Sequence, residues 1–202
     1  AKLPSEGAAM YDACEAMSTF MKAIGVAVDG GKDSLSMAAR VADETVKCPG
    51  TLVVTVYSAV PDIRLVLTPD LKVAGSRIVH VDVSAGLRRL GGSALAQCYA
   101  QLGDASPDVE QPALLAGAFK TTQSLLRAKA LLAGHDISDG GLLISALEMA
   151  FTGDVGIALD IPACADPSAL GAFGPLFAEE VGLLLEVSPE REGEVLAAFA
   201  AA

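Results

Sequence analysis

His135-Asp136-Ile137-Ser138-Asp139-Gly140-Gly141 leads straight into an apolar helical pattern over residues 142–151. Two carboxylates three residues apart on a glycine bend can face one small space. That arrangement suits Mg²⁺, which takes one or two protein carboxylates and keeps its other positions for water and phosphate oxygens. Asp136 is the first candidate ligand and Asp139 the second. Ser138 can donate to a phosphate, and Gly140 and Gly141 would free backbone N–H groups at a helix start, where anions are favoured. The same spacing also fits an ordinary helix cap with Ser138 or Asp139 as the N-cap residue.

On either side the chain mixes helix and strand. Upstream, Leu115, Phe119, Leu125, Leu126 and Leu131 mark a long helix over residues 112–132 that Gly134 closes, and residues 78–83 read as a strand. Between them Gly91-Gly92 opens a helix through Ala94, Leu95, Cys98 and Leu102, ended by Gly103. Downstream, residues 157–161 alternate as a strand does, residues 170–177 suggest a short helix, residues 183–187 a strand, and Pro189 opens a last helix. Near the start, Met10, Cys14, Met17, Met21 and Ile24 recur at intervals of three and four, the stripe of an amphipathic helix that Gly25 stops. A short strand at residues 26–28 follows. Residues 51–60 have the β-branched density of a strand buried on both faces, between Pro49-Gly50 and Pro61-Asp62. Residues 68–72, with Pro69, read as a domain crossing. Strict βα repetition is absent, so the expected class is α/β grading into α+β: the end of one α/β domain in residues 1–67 and most of a second domain in residues 68–202.

A second candidate for chemistry is Gly30-Gly31-Lys32-Asp33-Ser34 after the strand at 26–28. Its glycines would allow close approach of backbone to phosphate, with Lys32 a positive point charge and Ser34 a hydroxyl. It is not a Walker A loop, because the glycine four residues ahead of the Gly-Lys pair is missing. It resembles the SGGxDS loop of the ATP pyrophosphatases, which would make the protein an adenylating enzyme. Asp29 in place of the first Ser, and the long helix ahead of the strand, count against that. A plain turn with a solvated Lys32 is the other reading. Glu179-Glu180 reads as a pair of solvated helix charges, since adjacent side chains on a helix diverge by about 100°; one of the two lining a cleft is the alternative. His80, inside an apolar strand, reads as structural.

Composition sets the outer limits. A formal net charge of −11 argues against a nucleic-acid backbone binder, and 52% hydrophobic residues allow a substantial core of Ala, Val, Leu and Ile. No apolar run approaches the roughly 20 residues of a membrane span, and no signal peptide pattern is visible. Cys14, Cys48, Cys98 and Cys164 are scattered without a CxxC pair. They read as reduced thiols of a cytoplasmic protein, with Cys14 and Cys98 as buried small hydrophobes. The start at Ala1 without Met and the Ala-rich stop at residues 197–202 suggest an internal piece of a longer chain.

Taken in order, GAAMYDA (7–13), VDGGKDSLSM (28–37), TPDLK (68–72), GGSALAQCYAQLGD (91–104), HDISDGGL (135–142) and LFAEEVG (176–182) resemble the synthetase portion of the formylglycinamide ribonucleotide amidotransferases, also called phosphoribosylformylglycinamidine synthases, most nearly the single-chain animal type. The resemblance runs along nearly the whole chain and extends more distantly to the aminoimidazole ribonucleotide synthetases. It implies an aminoimidazole ribonucleotide synthetase-like fold and an ATP- and Mg²⁺-dependent ligase of purine biosynthesis. Such a ligase converts formylglycinamide ribonucleotide to its amidine with glutamine as nitrogen donor. It further implies that Asp136 binds Mg²⁺, that Ser138 contacts the nucleotide, and that Lys32, Asp33 and Ser34 lie near it. The family's other metal ligands and its glutaminase domain, with its nucleophilic cysteine, have no counterpart in these residues, so the piece alone is expected to be inactive. The match is to the second of two pseudo-symmetric halves, whose nucleotide in some members is a fixed structural element. A docking module with a vestigial nucleotide site is therefore a further alternative.

Overall fold

The computed structural model describes residues 4–32, 34, 37–161 and 170–202, so Asp33 and Cys164 lie outside the described residues. The chain divides into two compact units, Ala1–Pro61 and Asp62–Ala202.

The first unit holds one helix and one hairpin. Helix α1 (Glu6–Ile24) ends at Gly25, whose left-handed conformation (φ 76°) lets its N–H and that of Val26 return to the carbonyls of the last turn. Strands β1 (Ala38–Val41) and β2 (Glu44–Lys47) pair antiparallel around Ala42. Lys47 makes an ion pair with Glu6 of α1. Neither strand predicted for this unit forms. Residues 26–28 and 51–60 lie outside regular structure, and Val53 and Tyr57 are 82% and 89% exposed. A strand buried on both faces takes hydrogen bonds from two neighbours and burial from two layers. One helix and one short hairpin supply neither. The stripe of α1 is at most half-buried for the same reason. Cys14, Cys48 and Cys98 are all exposed, which corrects the expectation of buried thiols at 14 and 98.

The second unit is built on a three-stranded antiparallel sheet of order β3-β5-β4, formed by β3 (Arg77–Asp82), β4 (Ala133–Asp136) and β5 (Gly182–Val187). Period-two alternation splits its side chains between two layers. Leu183, Leu185 and Val187 of β5 join Val79 and Val81 of β3 on one face. There they pack with Ala118 and Leu125 of α3 (Pro112–Arg127) and Val195 of α6 (Glu192–Ala200). On the other face Leu184 and Ala133 meet Leu142, Ala146, Met149 and Ala150 of α4 (Gly141–Gly153). Helix α2 is a short piece, Ala94–Cys98, capped by the Ser93 hydroxyl, and α5 (Phe173–Phe177) precedes the final strand. This is an α+β arrangement. Residues 157–161 bury Ile157, Leu159 and Ile161 against the second layer, as their alternation predicts, but join no ladder.

One buried acid and one half-buried acid hold the connections. Glu186, fully buried in β5, accepts from the Lys72 N–H at 2.8 Å, the Val73 N–H at 3.0 Å and the Ser76 hydroxyl at 2.7 Å, which fixes the turn leading into β3. At the other end of β3, Asp82 accepts from Arg88 Nη2 at 2.6 Å and from the hydroxyl and N–H of Ser84 at 2.6 and 2.8 Å. Burial pushes the Asp82 carboxyl up, but the bonds from Arg88 and Ser84 outweigh it and hold the group below the ordinary carboxylate range. A carboxyl depressed in the folded state stabilises above its unfolded value and loses that contribution as pH falls through the folded value. Stability, read as a urea midpoint, is thus expected to decline below pH about 3.9. The decline should be shallower in Asp82→Asn, and equal slopes would contradict the assignment.

Candidate functional site

Strand β4 ends at Asp136, and the chain then turns through Ile137, Ser138 and Asp139 into α4. Alternation along β4 sends Ala133 and His135 to the α4 face and Gly134 and Asp136 to the other. Asp136 there lines a concavity of about 300 Å³ together with Leu67, Pro69, Thr122, Gly134, His135, Leu183 and Leu185. Its side chain is 74% exposed, so the carboxylate is open to a ligand. The His135 ring is fixed on both sides: Nδ1 lies 2.6 Å from the Asp136 carbonyl oxygen and 3.3 Å from its Oδ1, and Nε2 lies 3.1 Å from Glu148 Oε2 on α4. Asp139 is exposed and Ser138 half-buried.

The two glycines of the turn are sterically required. Gly140 and Gly141 have φ of 87° and 73°, a region unfavourable for L side chains. A Cβ on Gly140 would come within 2.4 Å of Ile144 Cγ1, and one on Gly141 within 2.7 Å of the Phe177 carbonyl carbon. Gly140 itself is the N-cap of α4 and no side chain caps the helix, so Ser138 and Asp139 do not serve as the ordinary cap that the spacing also allowed. Four of the turn's amides have partners within the chain, which corrects the expectation that Gly140 and Gly141 free their N–H groups for an anion. Ile137 N–H donates to the Gly182 carbonyl at 2.9 Å, Ser138 N–H to Ser145 Oγ at 3.3 Å, Gly140 N–H to Glu179 Oε1 at 2.8 Å and Gly141 N–H to the Ser138 carbonyl at 2.9 Å.

Glu179 and Glu180 are not solvated helix charges. They follow α5 outside any helix, and their side chains go to different partners, Glu179 to Gly140 and Glu180 to Arg89. Glu179 Oε1 also accepts from Ala94 N–H at 2.8 Å, the first amide of α2. Glu180, 5% exposed, accepts from Arg89 Nε and Nη2 at 2.7 and 2.8 Å and from Arg89 N–H at 2.9 Å, while Arg89 also pairs with Glu110. The only local signal for these roles is two acids directly ahead of an apolar strand. Their partners lie 39 to 91 residues away. His80, opposite Leu184 in the sheet, is exposed.

The second candidate motif lies in the first unit. Lys32 Nζ donates to Ser34 Oγ at 2.9 Å, and a Cβ on Gly30 or Gly31 would meet nothing within 4 Å. The strand that would make this a strand-to-glycine loop is missing, which removes a structural basis of the adenylating alternative. Among the described residues no cluster of three or more His, Cys, Asp or Glu side chains could hold a metal ion, and no helix is long and apolar enough to cross a membrane.

Comparison with known proteins gives a consistent picture. The family model for the AIR synthase related protein, C-terminal domain, matches residues 73–202, and that for the FGAR-AT PurM_N-like domain matches residues 1–59. The chain is 53% identical to the phosphoribosylformylglycinamidine synthase of Homo sapiens over 97% of its own length and 14% of that protein's. It is 50% identical to the probable chloroplastic/mitochondrial phosphoribosylformylglycinamidine synthase of Arabidopsis thaliana, over 93% of the chain and 13% of the relative. The chain thus spans a small part of the curated relatives it matches. Its fold is similar to that of Thermotoga maritima PurL complexed with FGAR, with a TM-score of 0.61 at 15% identity over 92% of this chain and 30% of that one.

Proposed function

We infer function from one premise: the chain belongs, through residues 73–202, to the AIR synthase related family. In this reading it is a piece of an ATP-dependent ligase that converts formylglycinamide ribonucleotide, glutamine and ATP to the amidine, glutamate, ADP and phosphate. Residues 1–67 end an N-terminal synthetase-like subdomain and residues 68–202 form most of the C-terminal one. The whole protein works in the cytoplasm, with a glutaminase domain elsewhere in the parent chain as the source of ammonia. The observation that carries this reading is the open carboxylate of Asp136 beside a turn whose two glycines cannot be replaced without collision.

The residues present fit a hydrated Mg²⁺. One exposed carboxylate, with Asp139 as a second, matches an ion that takes few protein ligands and shares the rest of its shell with water and phosphate oxygens. When bound, Mg²⁺ supplies charge neutralisation for the triphosphate. The chain's part is positioning. The contacts of the His135 ring with Glu148 and with the Asp136 carbonyl orient Asp136. Ser138 donates to a phosphate oxygen, and Gly140 and Gly141 act indirectly, by giving the turn the backbone conformation that presents Ser138 and Asp139. In the first unit, Lys32, Asp33 and Ser34 are the proposed source of a further charge and hydroxyl for nucleotide binding.

The test is product analysis on the full-length protein with ATP, Mg²⁺, glutamine and formylglycinamide ribonucleotide. ADP and inorganic phosphate are expected, formed together with the amidine. AMP and pyrophosphate would mean an adenylating enzyme and overturn the reading.

A further inference from the structure

We propose that Glu179 is a positioning residue for the glycine turn, acting through Gly140 on the Mg²⁺–nucleotide site; the proposal rests on the function inferred above. Three parts of the unit hold the turn. The sheet holds its beginning, through Ile137 N–H on the Gly182 carbonyl, and α4 holds its middle, through Ser138 N–H on Ser145 Oγ. Its end, beside Asp139, is held by the Glu179 carboxylate.

The geometry at Glu179 is that of a clasp. Its Oε1 accepts from Gly140 N–H and from Ala94 N–H, both at 2.8 Å, so one oxygen joins the start of α4 to the start of α2. Both bonds are charge-assisted, and Gly140 sits at the N-terminus of α4, where a negative charge is favoured. The clasp is itself immobilised, because the next residue, Glu180, is 5% exposed and locked to Arg89. No competing cation is paired with Glu179 among the described ion pairs. Loss of its carboxylate leaves two backbone donors without acceptors and releases the end of the turn. The positive φ of Gly140 and Gly141 then has one fewer constraint. Ser138 and Asp139 are the side chains whose direction that conformation sets.

The experiment measures the Mg²⁺ concentration that gives half-maximal ATP binding to the full-length protein. Glu179→Ala is expected to raise it about tenfold, the scale of an unmade bond to a charged acceptor. Glu179→Gln, which keeps an oxygen acceptor of the same reach, should restore a value close to wild type. Should Glu179→Ala fail to fold, Glu179→Asp carries the test, since it keeps the charge but withdraws the oxygens. An elevated Mg²⁺ requirement is expected there, and an unchanged one would overturn the proposal. Ser76→Ala, which removes a hydrogen bond to Glu186 near the opposite end of β5, is the structural comparator. If it shifts the Mg²⁺ requirement as much as Glu179→Ala does, Glu179 is structural only. Asp136→Asn is run in parallel. No shift there would defeat the functional reading itself, whereas a shift in Asp136→Asn with none in Glu179→Ala would defeat this inference alone.

Discussion

Gly141→Ala is expected to destabilise the unit Asp62–Ala202 by about 3 kcal/mol, combining the cost of a side chain at positive φ with that of an overpacked contact. Gly141 has φ 73°, and its added Cβ would sit 2.7 and 2.8 Å from the Phe177 carbonyl carbon and Cα and 2.9 Å from the Ala178 carbonyl oxygen. These are backbone atoms. They cannot swing aside as a side chain would, so either α4 lifts away from the C-terminal end of α5 or the turn unwinds. Against a typical stability of about 5–15 kcal/mol the loss is large, and it should lower the melting temperature of this unit by about 10 °C. Gly156→Ala is the matched control. A Cβ there meets nothing within 4 Å and its φ is not positive, so the same substitution should be neutral or slightly stabilising. Equal effects at 141 and 156 would show that the turn does not have the described conformation.

Much of the second unit is legible in the sequence because its signals are local. Gly182–Val187 carries the apolar run Leu183–Leu185 and Val187, interrupted only by Glu186, Pro112–Arg127 an amphipathic repeat opened by proline, and Gly141–Gly153 an apolar pattern after a glycine bend. Strand β4 shows where locality fails. Ala133-Gly134-His135-Asp136 has no strand propensity and becomes a strand because β5 offers it a ladder. The hairpin of β1 and β2 is invisible for a related reason: its strands are exposed and its turn lacks an Asn-Gly signal. Residues 51–60 err in the opposite sense, having the composition of a central strand without the neighbours that make one.

The candidate site divides along the same line. HDISDGG could be picked out from its residues, and the structure adds why both glycines are needed and that Asp136 faces a concavity. Glu179 could not be. Its two partners, Ala94 and Gly140, are 85 and 39 residues away, and an acid beside another acid reads locally as solvent-facing charge. The tertiary fold turns that pair into a clasp and a buried ion pair.

The second large effect expected is at Asp136. Asn occupies the same volume and keeps one oxygen, so Asp136→Asn removes charge while leaving the turn, the His135 contacts and the packing in place. An exposed carboxylate contributes little to stability, so the melting temperature should stay near that of wild type. Ion affinity should not, because a hard divalent cation depends on ligand charge. The decisive measurement is the Mg²⁺ titration of ATP binding to the full-length protein with and without this change. A rise of at least about a hundredfold in the Mg²⁺ requirement is expected, the upper end of what even outer-shell changes cost. An unchanged titration curve for a protein that still folds would contradict the claim that Asp136 holds the ion that holds the nucleotide.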